Sequence, residues 1–158
     1  MNNKYFEENE NLDWKLLLDF NEKLKIQNLK RTKEKSQYDA EGKVPNGKDL
    51  IIELKSRNCD YNPSNNTMYN SNEIMIQPDK LIDLMLTSRF EDKIPLFINF
   101  TKNGYKIVFN LDNLNIKPRK GYVRTKNIGD NGIEKEINYF LNLKDALIYD
   151  PNNNIVKH

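Results

Sequence analysis

The sequence predicts an α/β fold in which a central mixed β-sheet is flanked by helices, and three features carry that expectation. Residues 11–24 and 78–90 repeat apolar side chains at helical spacing. Residues 37–55 and 95–111 read as strand pairs closed by Gly-containing turns. These segments follow one another as helix, hairpin, helix and strands, within a length of 158 residues that fits one domain.

The first helix is expected over 11–24, where Leu12, Leu16, Leu17, Phe20 and Leu24 share a face and Asn11 is the candidate N-cap. The hairpin follows at 37–55. Residues 58–73, rich in Asn and Ser, read as a loop. Pro78 suits a first helical position, with Leu81, Leu84, Met85 and Leu86 behind it, so a second helix is expected over 78–90. PLFINF (95–100) and YKIVFNL (105–111) form a second strand pair with Asn103-Gly104 at the turn. The basic stretch 116–126 reads as a loop or arm because of Pro118 and Gly121; residues 134–143 read as a last strand, and KDALIYD as a short closing element.

Composition narrows the function classes. The net charge is +2 and the mean hydropathy −0.83, so the global balance announces neither a nucleic-acid binder nor a membrane protein. Cys59 is the single cysteine, which excludes an intramolecular disulfide and a cysteine-based zinc site. There is no P-loop or GxGxxG. The first residues lack an apolar signal core and no apolar run approaches ~20 residues, so an intracellular, cytoplasmic protein without a membrane partner is expected. Heavy use of Asn, Lys and Ile suggests an AT-rich genome, in keeping with a bacterial cell or a phage-infected host.

The chemistry concentrates in QYDAEGKVPNGKDLIIELKSR, residues 37–57. In a strand alternate residues share a face, so Leu50, Ile52 and Leu54 point one way and Ile51, Glu53 and Lys55 the other. Pro45-Asn46-Gly47 suits a three-residue loop with Gly in the left-handed conformation, which pairs Val44 with Lys48 and, counting outward, Asp39 with Glu53. The same register puts Tyr38, Ala40 and Val44 on the apolar face. A two-residue Asn-Gly loop would shift Asp39 opposite Leu54 and break the pattern. Opposed carboxylates have Cβ atoms ~4.5–5.5 Å apart and repel unless a cation sits between them. Mg²⁺ or Mn²⁺ suits that place, being held by one or two carboxylates with water and phosphate completing the shell, and Lys55 stands alongside. Asp49 shares the Glu53 face but lies ~13 Å away at ~3.3 Å per residue. The pattern also fits a plain salt-bridge ladder of Asp39, Glu53 and Lys55 on a solvated sheet face, worth ~0.2–1 kcal/mol per pair.

Asp39 followed by Glu53-Leu54-Lys55, on the second and third strands after a helix, resembles the PD-(D/E)XK superfamily over roughly residues 10–111. The resemblance implies a restriction-endonuclease-like core, a single domain of that kind over 1–158, and metal-dependent hydrolysis of DNA phosphodiesters. Asp39 and Glu53 are then the metal ligands, and Lys55 assists the attacking water. Tyr38 stands where the motif name has Pro. Glu10 and Asp13 are candidates for the helix carboxylate that resolvase-like members use, and a branched-DNA, resolvase-like substrate and a homodimer enter as expectations. For DNA contacts the candidates are Arg57, Lys80, Arg119, Lys120, Arg124 and Lys126, with Lys117 and Tyr122 in the same basic stretch. The alternative function is a catalytically silent module of the same fold that binds nucleic acid or a protein.

Overall fold

Two apolar layers bury both faces of one sheet, and this follows from where the apolar residues fall. The computed structural model describes residues 3–33, 36–113, 117–126 and 133–156, with residues 3–6, 123–126 and 133–136 described by backbone alone. Strand β1 (Gln27–Arg31), β2 (Ala40–Lys43), β3 (Asp49–Arg57), β7 (Ile94–Thr101), β8 (Lys106–Asn110) and β11 (Leu147–Tyr149) form a six-stranded sheet in the order β1-β2-β3-β7-β8-β11. Only β3 and β7 run parallel. Strand β7 is near-continuously apolar and β3 is apolar at Leu50, Ile51, Ile52 and Leu54, as strands covered on both faces must be over that stretch.

Helix α1 (Asn3–Leu24) covers one face, where Leu17 and Phe20 pack with Leu50, Ile52, Leu54, Ile98 and Phe100. Helix α2 (Pro78–Glu91) covers the other, and Leu81 and Leu84 join Ile51, Phe97, Ile107 and Phe109. The helix ends where Asp92 takes a left-handed conformation (φ 51°) and Lys93 N–H donates to the Ser88 carbonyl at 3.0 Å. Two smaller sheets add to the α2 side: β4 (Tyr61–Asn62) with β5 (Thr67–Met68), and β6 (Glu73–Ile76), β10 (Ile133–Asn142) and β9 (Arg119–Lys126) in the order β6-β10-β9.

The hairpin register is the one that the three-residue loop predicts. Gly47 has φ +88°, its N–H donates to the Val44 carbonyl at 2.8 Å, and Val44 N–H donates to Lys48 at 2.9 Å. Lys43 then pairs with Asp49 and Ala40 with Ile52, where the ladder ends; Asp39, one residue earlier, is tied to β3 through Ile52 and Leu54. The β7–β8 turn closes the same way, with Gly104 at φ +85° and Thr101 N–H donating to Tyr105 at 3.0 Å.

Several expectations need correction. The first helix starts at Asn3, so Asn11 lies inside it and accepts a hydrogen bond from Arg31 at 2.7 Å instead of capping. Its opening turns hold only Tyr5 and Phe6 among polar residues, with no apolar stripe to betray them. Tyr38 packs on the α2 side and its hydroxyl donates to Glu41 at 3.2 Å, because β2 starts only at Ala40 and strand alternation no longer binds residue 38. The 58–73 segment is no plain loop: Tyr61 and Met68 within it are core residues. The basic stretch is strand β9, and Gly121 is there because a Cβ would come within 2.8 Å of the Phe140 ring.

Replacing Gly47 with Ala should destabilise the protein by ~1–2 kcal/mol in chemical denaturation, the cost of a side chain in the left-handed region. Nothing lies within 4 Å of the added Cβ, so the loss is backbone strain alone. An unchanged midpoint would mean that the turn does not set the register.

Candidate functional site

Where β3 passes between the two helices, a cavity of about 780 Å³ opens, bounded by α1, the β1–β2 connection and the start of α2. Asp13, Asp39, Glu53, Lys55 and Lys80 all line it. Glu53 comes from β3, and Asp39 from the residue just before β2. Asp39 is fixed at both ends, its N–H donating to Ile52 at 2.9 Å and its Oδ2 accepting from the Leu54 N–H at 2.7 Å. Glu53 sits mid-strand on the α2 face and is only 8 % exposed. Lys80, in the first turn of α2 behind Pro78, brings Nζ to 3.2 Å from each Glu53 carboxylate oxygen. Lys55 is exposed and opens onto the same cavity.

Desolvation dominates the electrostatics of the site's carboxyls. Burial, reinforced by the neighbouring Asp39 carboxylate, pushes Glu53 up to about 7 despite Lys80. Burial also raises Asp39, with the Leu54 N–H acting against it. On α1, Asp13 is raised by burial and accepts a hydrogen bond from the Ser56 hydroxyl, while Asp39 adds a repulsive contribution. Glu10, the other helix carboxylate considered, also lines the cavity but pairs with Arg31 at 3.1 Å.

These residues suit a hard divalent cation. Buried carboxylate oxygens short of counter-charge are the donors that Mg²⁺ and Mn²⁺ take, and a lysine ammonium already stands against one of them. Among the described residues no group of three His, Cys, Asp or Glu side chains converges as a complete ligand cage. A two-carboxylate site completed by water and phosphate oxygens needs none.

The remaining candidates divide. Arg57 lies on the Glu53 face but turns inward, donating from Nε to Asn99 at 2.8 Å and from Nη2 to the Met75 carbonyl at 2.7 Å. Burial lowers its pKa, and the guanidinium lies over the Phe97 ring. It ties β6 to the central sheet. Arg119 grips Glu73 through Nε at 3.0 Å and Nη2 at 2.7 Å and stacks on Phe140 at 4.5 Å. Lys120 and Tyr122 are exposed on β9. Arg124 and Lys126 lie on the β9 backbone, with side chains outside the described set. Residues 133–138 of β10 pair with β9 beyond Ile76, the end of β6, so this ribbon overruns β6 by ~20 Å at ~3.3 Å per residue. It does so next to Gln77, which lines the cavity.

Sequence reasoning left Thr32, Lys33 and Ser56 without a role. Thr32 and Lys33 line the cavity from an irregular connection, where no periodic pattern marks a residue's direction.

The raised Glu53 has a testable consequence in the metal-free protein. The native state holds more protons than the unfolded state between about 4.5 and about 7, so this carboxyl's contribution favours folding at low pH and fades as pH rises through that window. Chemical denaturation across pH 4–8 should therefore show the stability of Glu53→Gln gaining on wild type as pH rises, by at most ~3 kcal/mol, and then levelling off. A constant difference across that range would contradict a carboxyl raised by burial despite its Lys80 partner.

No protein-family model matches this chain. No curated protein matches it either. Among solved structures, the chain is similar to the 1.6 Å structure of Hjc, a Holliday junction resolvase from the archaeal hyperthermophile Archaeoglobus fulgidus, at 14 % identity and a TM-score of 0.48 over 82 % of this chain and 83 % of that one.

Proposed function

We propose that this chain is a metal-dependent nuclease that hydrolyses DNA phosphodiesters in the cavity between α1 and α2. The observation behind this reading is the pairing of buried Glu53 with half-buried Asp39 beside an open cavity carrying Lys55, Lys80 and Lys33. A structural salt-bridge ladder belongs on a solvated face, whereas Glu53 lies on the interior face, and its ion pair runs to a helix.

Asp39 and Glu53 would hold Mg²⁺ or Mn²⁺, which when bound neutralises phosphate charge and acidifies a coordinated water. The chain's own groups do the rest. Asp39 is locked by the Leu54 N–H, so the carboxylate geometry exists before substrate arrives. The Lys55 ammonium holds the attacking water by a hydrogen bond and offsets charge building on the non-bridging oxygens. Water oxygen bonds to phosphorus, the bridging P–O bond breaks, the water's proton leaves to solvent, and the leaving oxygen takes one up. Asp13 lines the cavity from α1, held by a hydrogen bond from the Ser56 hydroxyl of β3. Away from the chemistry, Lys120 and Tyr122 on the β9–β10 ribbon offer a positive, aromatic surface to the DNA backbone.

Incubation with linear, nicked and branched DNA and Mn²⁺ should give cleavage products, and Asp39→Ala, Glu53→Ala and Lys55→Ala should each lower the rate by at least ~10²-fold. Cleavage surviving all three rejects the site; binding without any turnover favours a silent DNA-binding module of the same fold. The two β9 cations should behave differently. Lys120→Ala should weaken DNA binding and reduce the slope of log affinity against log salt by ~1. Arg119→Ala, which breaks the Glu73 pair, should lower the melting temperature and leave that slope nearly unchanged.

A further inference from the structure

Lys80 stands where a cation shared by the opposed carboxylates would touch Glu53. Its Nζ approaches both Glu53 oxygens equally, at 3.2 Å each, and Glu53 has no other hydrogen-bond or ion-pair partner among the described residues. Pro78 starts the helix and fixes the lysine backbone, while the side chain, 34 % exposed, ends a long flexible stem that can swing without disturbing α2.

A divalent ion coordinates carboxylate oxygen at ~2.0–2.1 Å and carries twice the charge of an ammonium. Two cations crowded on one buried carboxylate repel, so entry of the ion expels Nζ from its seat. The expelled ammonium remains in a cavity already lined by Lys33 and Lys55, which is where the phosphate oxygens of a bound diester would arrive.

We infer that Lys80 is a resident counter-ion which a divalent metal must displace from Glu53, and that the displaced ammonium then binds the substrate phosphate, so that metal and DNA bind cooperatively. The inference rests on the metal-dependent reading above. Without DNA, metal binding forfeits the Lys80–Glu53 pair; with DNA, the ammonium exchanges one anionic partner for another. By linkage, DNA raises metal affinity and metal raises DNA affinity by the same factor.

Calorimetric titration of Mn²⁺ into the full chain tests this without measuring turnover. Lys80→Met should bind Mn²⁺ ~10-fold more tightly than wild type, equivalent to ~1.4 kcal/mol. Lys80→Arg, which keeps a cation in the seat, should stay near wild type. Adding a phosphorothioate duplex should tighten Mn²⁺ binding to wild type far more than to Lys80→Met. Glu53→Gln combined with Lys80→Met should lose the tight binding, which places the ion. If Lys80→Met fails to fold, Lys80→Gln replaces it. Should wild type bind Mn²⁺ and Lys80→Met bind it no more tightly, the counter-ion role is wrong while the metal site stands. Should neither protein bind Mn²⁺, the metal-dependent reading falls and this inference with it.

Discussion

A buried carboxylate on β3, Glu53, and a half-buried one at the entry to β2, Asp39, are the constraint around which the cavity is arranged. A sheet tolerates opposed acids poorly, and burial makes the repulsion worse because water no longer screens it. Glu53 cannot escape: it is one residue in a strand whose neighbours Ile52 and Leu54 are locked into the α1 core and whose own side belongs to the α2 core. Asp39 is held equally firmly by the Leu54 N–H. The hydrophobic layers thus supply the free energy that keeps an electrostatically unfavourable pair in place, and the pair is left with a lasting demand for positive charge.

The cations of the chain separate into two groups by how they meet that demand. Arg57 and Arg119 have spent their guanidinium groups on protein partners, a carbonyl and an amide in one case and a carboxylate in the other. Both hold the small β6-β10-β9 sheet, Arg57 to the central sheet through Met75 and Arg119 across to Glu73. Arginine suits this work because its planar fork binds two acceptors at once and its charge survives burial. Four lysines stand at the cavity and the ribbon: Lys33 and Lys55 exposed on the cavity, Lys80 on it but paired with Glu53, and Lys120 exposed on the ribbon. A flexible, strongly hydrated ammonium gives up one anion for another more readily than a bidentate guanidinium does.

Local patterns made much of this legible. The Pro45-Asn46-Gly47 turn, the alternation of Leu50, Ile52 and Leu54, and the helical spacing after Pro78 each depend on a few adjacent residues, and the register and second helix follow from them. Elements defined by distant partners were not legible in the same way. Strand β1 is a short polar edge strand whose pairing with β2 uses backbone groups that any sequence has. Strand β9 owes its form to an eight-residue ladder with β10, against the loop signals of Pro118 and Gly121. The opening turns of α1 carry no apolar periodicity at all.

The sequence by itself determined that Asp39, Glu53 and Lys55 could share one face of a hairpin, because strand alternation and turn length are local geometry. Only the tertiary structure decided that this face is interior, that Asp13 and Lys80 reach it from two separate helices, and that Arg57, on the same strand face, is consumed by Asn99 and Met75. Burial and long-range pairing depend on which elements pack over the hairpin, and no stretch of residues 37–57 contains that information.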